Sequence, residues 1–172
     1  MKNVEINKNV KLSEHFTLAE MTKTSVKTKD GNIPSRVHIE NLKRLTGWLE
    51  RLRLRCNQMR NEKVGMRNVN EEMKNEPHPE VPIIINSAYR SVAVNRAVGG
   101  AATSNHLTGC AADIRCKGIE QAIRYAFILL DISDESQEPF DELLIEQSAK
   151  SIWVHFAVRP EGNRRKVAFL KK

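Results

Sequence analysis

Ser104-Asn105-His106-Leu107-Thr108-Gly109-Cys110-Ala111-Ala112-Asp113 is the stretch on which the reading of this chain turns. A histidine and an aspartate stand around a glycine, at the mouth of a strand-like run that ends at Cys116. A second histidine, His155, sits in Ile152-Trp153-Val154-His155-Phe156-Ala157-Val158, another run with strand character. Two imidazoles and one carboxylate from separate strands suit the borderline-soft character of zinc. Three such ligands leave the fourth position for water, as a catalytic site requires. The pattern therefore points to metal-dependent hydrolysis.

Strand phase tests whether these groups can meet. Successive side chains of a strand point to opposite faces. In the last run Ile152, Val154, Phe156 and Val158 share one face, and Trp153, His155 and Ala157 the other. In the earlier run Asp113 is in phase with Ala111 and Arg115, opposite Cys110, Ala112, Ile114 and Cys116. Glu146 follows Leu144 and opposes Leu143 and Ile145. All three polar groups thus leave the apolar face and can converge in one cleft. If the hairpin turns near Ala149-Lys150, Glu146 is a diagonal neighbour of His155, roughly 7–8 Å away at Cα. There it can serve as the base that takes a proton from the attacking water.

The rest of the chain supplies a frame for this cleft. Its 172 residues suit one domain with a real core. Thr17-Leu18-Ala19-Glu20-Met21 reads as a short helix with Thr17 as N-cap and Glu20 closing a capping box. Leu42, Leu45, Leu49 and Leu52 recur at helical spacing and predict a helix over 35–59. Residues 1–35 form an N-terminal arm, and 61–80, rich in Asn and Glu with Pro77 and Pro79, an exposed polar connection. His78 belongs to that loop. Further on, 82–86 is a buried-type strand and 91–98 a short helix stopped by Gly99-Gly100. Cys110 to Cys116 makes a strand, and Ile119, Ala122, Ile123, Ala126 and Leu130 form a helical stripe. A loop over 133–139 precedes a hairpin of 142–146 and 152–158, and 166–170 adds an edge strand. Helices first and strands later predict an α+β domain. Its small, mostly antiparallel sheet packs against helices and carries the zinc site on its open face.

Composition narrows the partners. No apolar run is long enough to span a membrane, and the first residues lack the apolar core of a secretory signal. Three cysteines, Cys56, Cys110 and Cys116, make an odd count that argues against a disulfide framework. The net charge of +7 favours a polyanionic partner such as nucleic acid or a bacterial wall. No nucleic-acid-binding motif accompanies it, so nucleic acid is not the expected partner.

Ser87-Ala88-Tyr89-Arg90-Ser91, Asn95, Gly99-Gly100, the Ser104-x-His106-x-x-Gly109-x-Ala111-x-Asp113 pattern and the late Trp153-Val154-His155 together resemble the LAS-type zinc peptidases. That family spans D-Ala-D-Ala carboxypeptidases, murein endopeptidases, phage endolysins and the hedgehog signalling domain. The resemblance covers about 82–158, and Leu12-Ser13-Glu14-His15-Phe16-Thr17-Leu18-Ala19-Glu20-Met21 is similar to the opening of phage and prophage members. It implies Zn2+ held by His106, Asp113 and His155, and Arg90 as the arginine that steadies the substrate carbonyl or oxyanion. Ser104 and Asn95 are implied as supporting residues that bind substrate near the cleft. Many carboxypeptidases of the family place a Glu three residues before the last His, where this chain has Ile152. Phe140-Asp141-Glu142-Leu143-Leu144-Ile145-Glu146 instead resembles the hedgehog-like and endolysin-like branch, which favours Glu146 as base over Asp141 and Glu142. The implied activity is hydrolysis of an amide bond in the peptidoglycan stem peptide. The implied enzyme is a monomer without membrane insertion, made in the cytoplasm and released to the wall by a partner protein. The alternative is a non-catalytic, hedgehog-like zinc module that binds the wall or a protein.

Overall fold

The computed structural model describes residues 10–29, 31–66 and 80–171. Among them the chain runs α1 (Leu18–Met21), α2 (Arg36–Met66), β1 (Ile85–Ser87), α3 (Val92–Ala97), a 3-10 turn (Asn105–Thr108), β2 (Ala111–Cys116), α4 (Ile119–Ser136), β3 (Glu142–Gln147), β4 (Ile152–Ala157) and β5 (Lys166–Lys171). The strands form one sheet in the order β1-β2-β4-β3-β5. Neighbours are antiparallel except β3 and β5, which are parallel. This is the small α+β domain with a mostly antiparallel sheet that the sequence predicts.

One face of the sheet is closed by helices. The leucines predicted to form the α2 stripe, Leu42, Leu45, Leu49 and Leu52, are all fully buried. Trp48 on the same helix meets Phe156 of β4 at a ring separation of 5.2 Å, and Phe156 meets Phe140 at 5.8 Å. Ala112, Ile114 and Cys116 of β2, Leu143 of β3, and Val154 and Phe156 of β4 complete this layer, in the predicted phase. Burying side chains of this size contributes roughly 1.5–3 kcal/mol each. The N-terminal arm belongs to the core too. Phe16, Leu18 and Met21 are buried, Thr17 Oγ1 accepts from Glu20 N at 3.2 Å, and Met21 O receives Tyr89 N at 2.9 Å.

Several element boundaries differ from expectation. Helix α2 continues to Met66, past the expected end near Met59, so the first part of the predicted polar connection is helical. Of the remainder, 67–79, with His78, lies outside the described residues. Pairing in β1 spans only Ile85–Ser87 rather than 82–86, with an irregular register against β2. Pro82 has no N–H to give a ladder, which is consistent with that later start. Helix α4 runs through Ser136, where a loop was expected from 133. Its polar last turn is tied down by Ser133 Oγ donating to Glu138 O and Ser136 Oγ donating to Ile132 O, each at 2.7 Å. The α4 stripe is also rotated: Ala122, Tyr125, Ala126, Leu129 and Ile132 are buried, whereas Ile119 and Ile123 are exposed. Tyr125, Leu129 and Ile132 lay outside the expected stripe but fall on the same 3.6-residue period.

Candidate metal centre

The face opposite the helices carries the polar groups, which line a cleft. Register brings Asp113 of β2 opposite His155 of β4, with Leu144 of β3 on the other side of His155. Glu146 pairs with Trp153 and is therefore the diagonal neighbour of His155, as strand phase predicts. His106 reaches the same place from the 3-10 turn. Ser104 caps this turn, its Oγ accepting from His106 N at 3.3 Å, and Arg90 N donates to His106 O at 3.0 Å. Gly109 closes the turn at φ 73°, and an added Cβ would lie 2.7 Å from His38 O of α2. Only glycine combines that dihedral with so close an approach. The sequence places His106 at the mouth of a strand; the separate turn was not legible there.

The donor atoms converge. His106 Nε2 lies 3.2 Å and His155 Nδ1 3.0 Å from Asp113 Oδ1. One atom from each residue falls within 4.8 Å of the others, and all three residues are buried. A tetrahedral zinc with bonds of about 2.0–2.2 Å sets its ligands roughly 3.3–3.6 Å apart, so this donor set fits zinc with small adjustments. The outer contacts agree with the chemistry of such a site. His106 Nδ1 is 2.6 Å from Ala88 O, which assigns its proton to Nδ1 and leaves the Nε2 lone pair facing Asp113. Arg90 bonds the other carboxylate oxygen, Asp113 Oδ2, and donates from Nε to Ser87 Oγ at 2.8 Å.

Electrostatics favour a cation here. Burial works to raise the Asp113 carboxyl, but the His106 and His155 imidazoles outweigh it and hold the carboxyl well below its usual range. Burial likewise works to lower His155, yet its contacts with Asp113 and Glu142 push it up to about 9.

The structure brings most of the predicted residues to one cleft of about 830 Å³. Arg90, Ser104, His106, Asp113, Glu146 and His155 all line it. Asn95 does not. It is buried beneath the neighbouring loop, where Nδ2 donates to Ala101 O at 2.9 Å and Gly100 packs directly on its side chain. Its observed part is to brace the Gly99–Gly100 wall rather than to face the cleft. Asp141 is also removed from the cleft surface. Fully buried, it takes Arg159 Nη2 at 2.8 Å and Arg164 Nε at 2.7 Å, which bring its carboxyl down to about 2 against the effect of burial. Glu142 lines the cleft but its Oε2 is turned to His155 Nε2 at 3.5 Å. Asp141 is thus set apart from the cleft, whereas Glu142 and Glu146 both line it from β3 as diagonal neighbours of His155.

Sequence reasoning missed Asn105, Trp153, Arg159, Arg164 and Lys166 as lining residues. Asn105 was adjacent to the candidate His106, and Arg164-Arg165-Lys166 was visible as a basic run. Nothing in the sequence told that this run folds back onto Asp141 and Glu142.

A sequence model of the Peptidase M15 family matches residues 14–127, well over half of the chain. The match takes in Arg90, His106 and Asp113 and stops before Glu146 and His155. A search of curated proteins finds no match to the chain. The family match supports a zinc-dependent metallopeptidase.

Proposed function

The chain belongs to the Peptidase M15 family, and on that premise we propose that it hydrolyses an amide bond in the stem peptide of peptidoglycan. The observation that carries the reading is the approach of His106 Nε2 and His155 Nδ1 to one oxygen of Asp113, on the floor of a cleft that also holds Glu146. These three residues would hold zinc. When bound, zinc supplies a Lewis acid that polarises the scissile carbonyl and makes water a nucleophile at neutral pH.

The protein's own groups do the rest. Glu146, buried at the cleft and diagonal to His155, accepts the proton of the attacking water and returns it to the leaving amine. Arg90 fixes Asp113 through Oδ2, so that Oδ1 is left toward the two imidazoles. The guanidinium also lines the cleft, and its donors not engaged by Ser87 and Asp113 stabilise the oxyanion that develops on the substrate. Ser104 orients His106 through the turn it caps. A basic chain of net charge +7 is drawn to the anionic wall. Among the described residues no helix is long and apolar enough to cross a membrane. In this reading the protein acts as a monomer and reaches the wall with the help of a partner protein.

Purified muropeptides incubated with the zinc-loaded protein test the reading. Mass spectrometry should show products heavier in sum by one water, and the fragment masses name the bond cut. Stoichiometric zinc with muropeptides left intact would indicate the non-catalytic binding module instead.

A further inference from the structure

The cleft contains a carboxylate that catalysis as described does not use. Glu142 stands on β3 in phase with Glu146, but its two oxygens are already committed. Oε2 accepts from Asn105 Nδ2 at 3.0 Å and faces His155 Nε2 at 3.5 Å. Oε1 takes Arg164 Nη2 at 3.0 Å and Lys166 Nζ at 3.4 Å. Asn105 is itself fixed, since the same Nδ2 also reaches Asp141 Oδ2 at 2.7 Å and its Oδ1 accepts from Arg159 Nε at 3.2 Å. Glu142 is therefore held from two sides, in contact with the ring nitrogen of His155 that points away from Asp113.

A neutral imidazole carries one proton, and whichever nitrogen bears it cannot bind a metal. A carboxylate at Nε2 keeps the proton there and leaves the lone pair on Nδ1, the atom 3.0 Å from Asp113 Oδ1. We propose that Glu142 is the positioning residue of the metal centre, fixing the tautomer and ring orientation of His155, with Asn105 as its lock. The inference rests on the zinc reading of His106, Asp113 and His155. It has a structural consequence: Asn105 directly precedes His106, so one amide couples the turn that presents His106 to the carboxylate that presents His155. Carboxylate and histidine would then support the metal in series, the outer member modulating affinity through the ring it orients.

Zinc affinity is the readout, measured by competition with a chromophoric chelator and accompanied by far-UV circular dichroism. In Glu142→Ala the dissociation constant should rise about 10–100-fold. Glu142→Gln, which keeps an acceptor oxygen, should recover most of that loss, and Asn105→Ala should show a smaller one. A second readout does not depend on any variant. Nitrogen-15 spectra of the histidine rings in the zinc-loaded wild type should show His155 protonated at Nε2, with slow exchange of that proton. In folded Glu142→Ala the exchange should quicken. Unchanged zinc affinity and unchanged exchange in folded Glu142→Ala would overturn the proposal. If that variant does not fold, a wild-type His155 protonated at Nδ1 or a Glu142→Gln with the affinity expected for alanine overturns it equally. A wild type that takes up no zinc overturns the zinc reading itself, an outcome visible before any variant is compared.

Discussion

The two faces of the sheet are made by the same strands and do opposite work. On the helix side Ala112, Ile114, Val154 and Phe156 pack to near-zero exposure against α2 and α4. On the other side, one residue along each strand, Asp113, Glu146, Trp153 and His155 line an open cleft. Strand β4 carries both sets in alternation, so Phe156 anchors the core one position from His155. The polar groups do not need their own scaffold, because the apolar face fixes the register for both. A slip by one residue would exchange the faces and lose core and site together.

Substitutions on the two faces should separate along that line. The largest effect belongs to the open face. His106→Ala should leave a folded protein, checked by circular dichroism, that holds no stoichiometric zinc and hydrolyses muropeptides at background. Zinc uptake equal to wild type would remove His106 from the metal centre. Next comes the covered face. Phe156→Ala should cost about 3–5 kcal/mol in urea unfolding, while protein that remains folded still binds zinc. If zinc is lost and stability kept, the division of labour between the faces is wrong.

Gly109→Ala probes the joint between the faces. Its left-handed dihedral and the approach of His38 O predict a loss of about 1–3 kcal/mol, read as a lower thermal midpoint. A neutral outcome would mean that the turn can move away from α2. The smallest expected effect is a pH dependence at the rim. Arg164, Asn105 and Arg159 hold the buried Asp141 carboxyl near 2, against 3.8 for the free group. Because the folded value is depressed, its stabilisation is complete above about pH 4 and is lost as pH falls through about 2. It amounts to about 2 kcal/mol by linkage. Urea unfolding at pH 5 and pH 2 should show that difference in the wild type and a flatter profile in Asp141→Asn.

Much of this contrast was legible in the sequence, because period-2 alternation is a local property. The phases of Asp113, Glu146 and His155 followed from counting along each strand, and the α2 leucines from counting along the helix. The Gly109 turn was visible as a glycine but not as a contact with α2, which lies far away in sequence. The part of Glu142 was hidden for the same reason. Its partners Asn105, Arg164 and Lys166 come from a turn, the loop before β5 and the start of that edge strand, and adjacency to Asp141 made it look like one more candidate base. Asn95 misled in the other direction. Its place in a resembling motif suggested a cleft residue, while its burial under Gly100 gives it a bracing part. The end of α4 was misread because Asp134, Glu135 and Ser136 are polar. Asp134 and Glu135 pair with Arg165 and Arg55, contacts that local composition does not announce.

The central claim is that the open face holds one zinc and uses Glu146 to cut an amide bond. The direct test compares wild type and Glu146→Gln, each assayed for bound zinc and for muropeptide cleavage in the same sample. Both should carry about one zinc per chain. Wild type should cleave, and the variant should lose about 10²–10⁴-fold in kcat. Equal cleavage by both proteins would contradict the account.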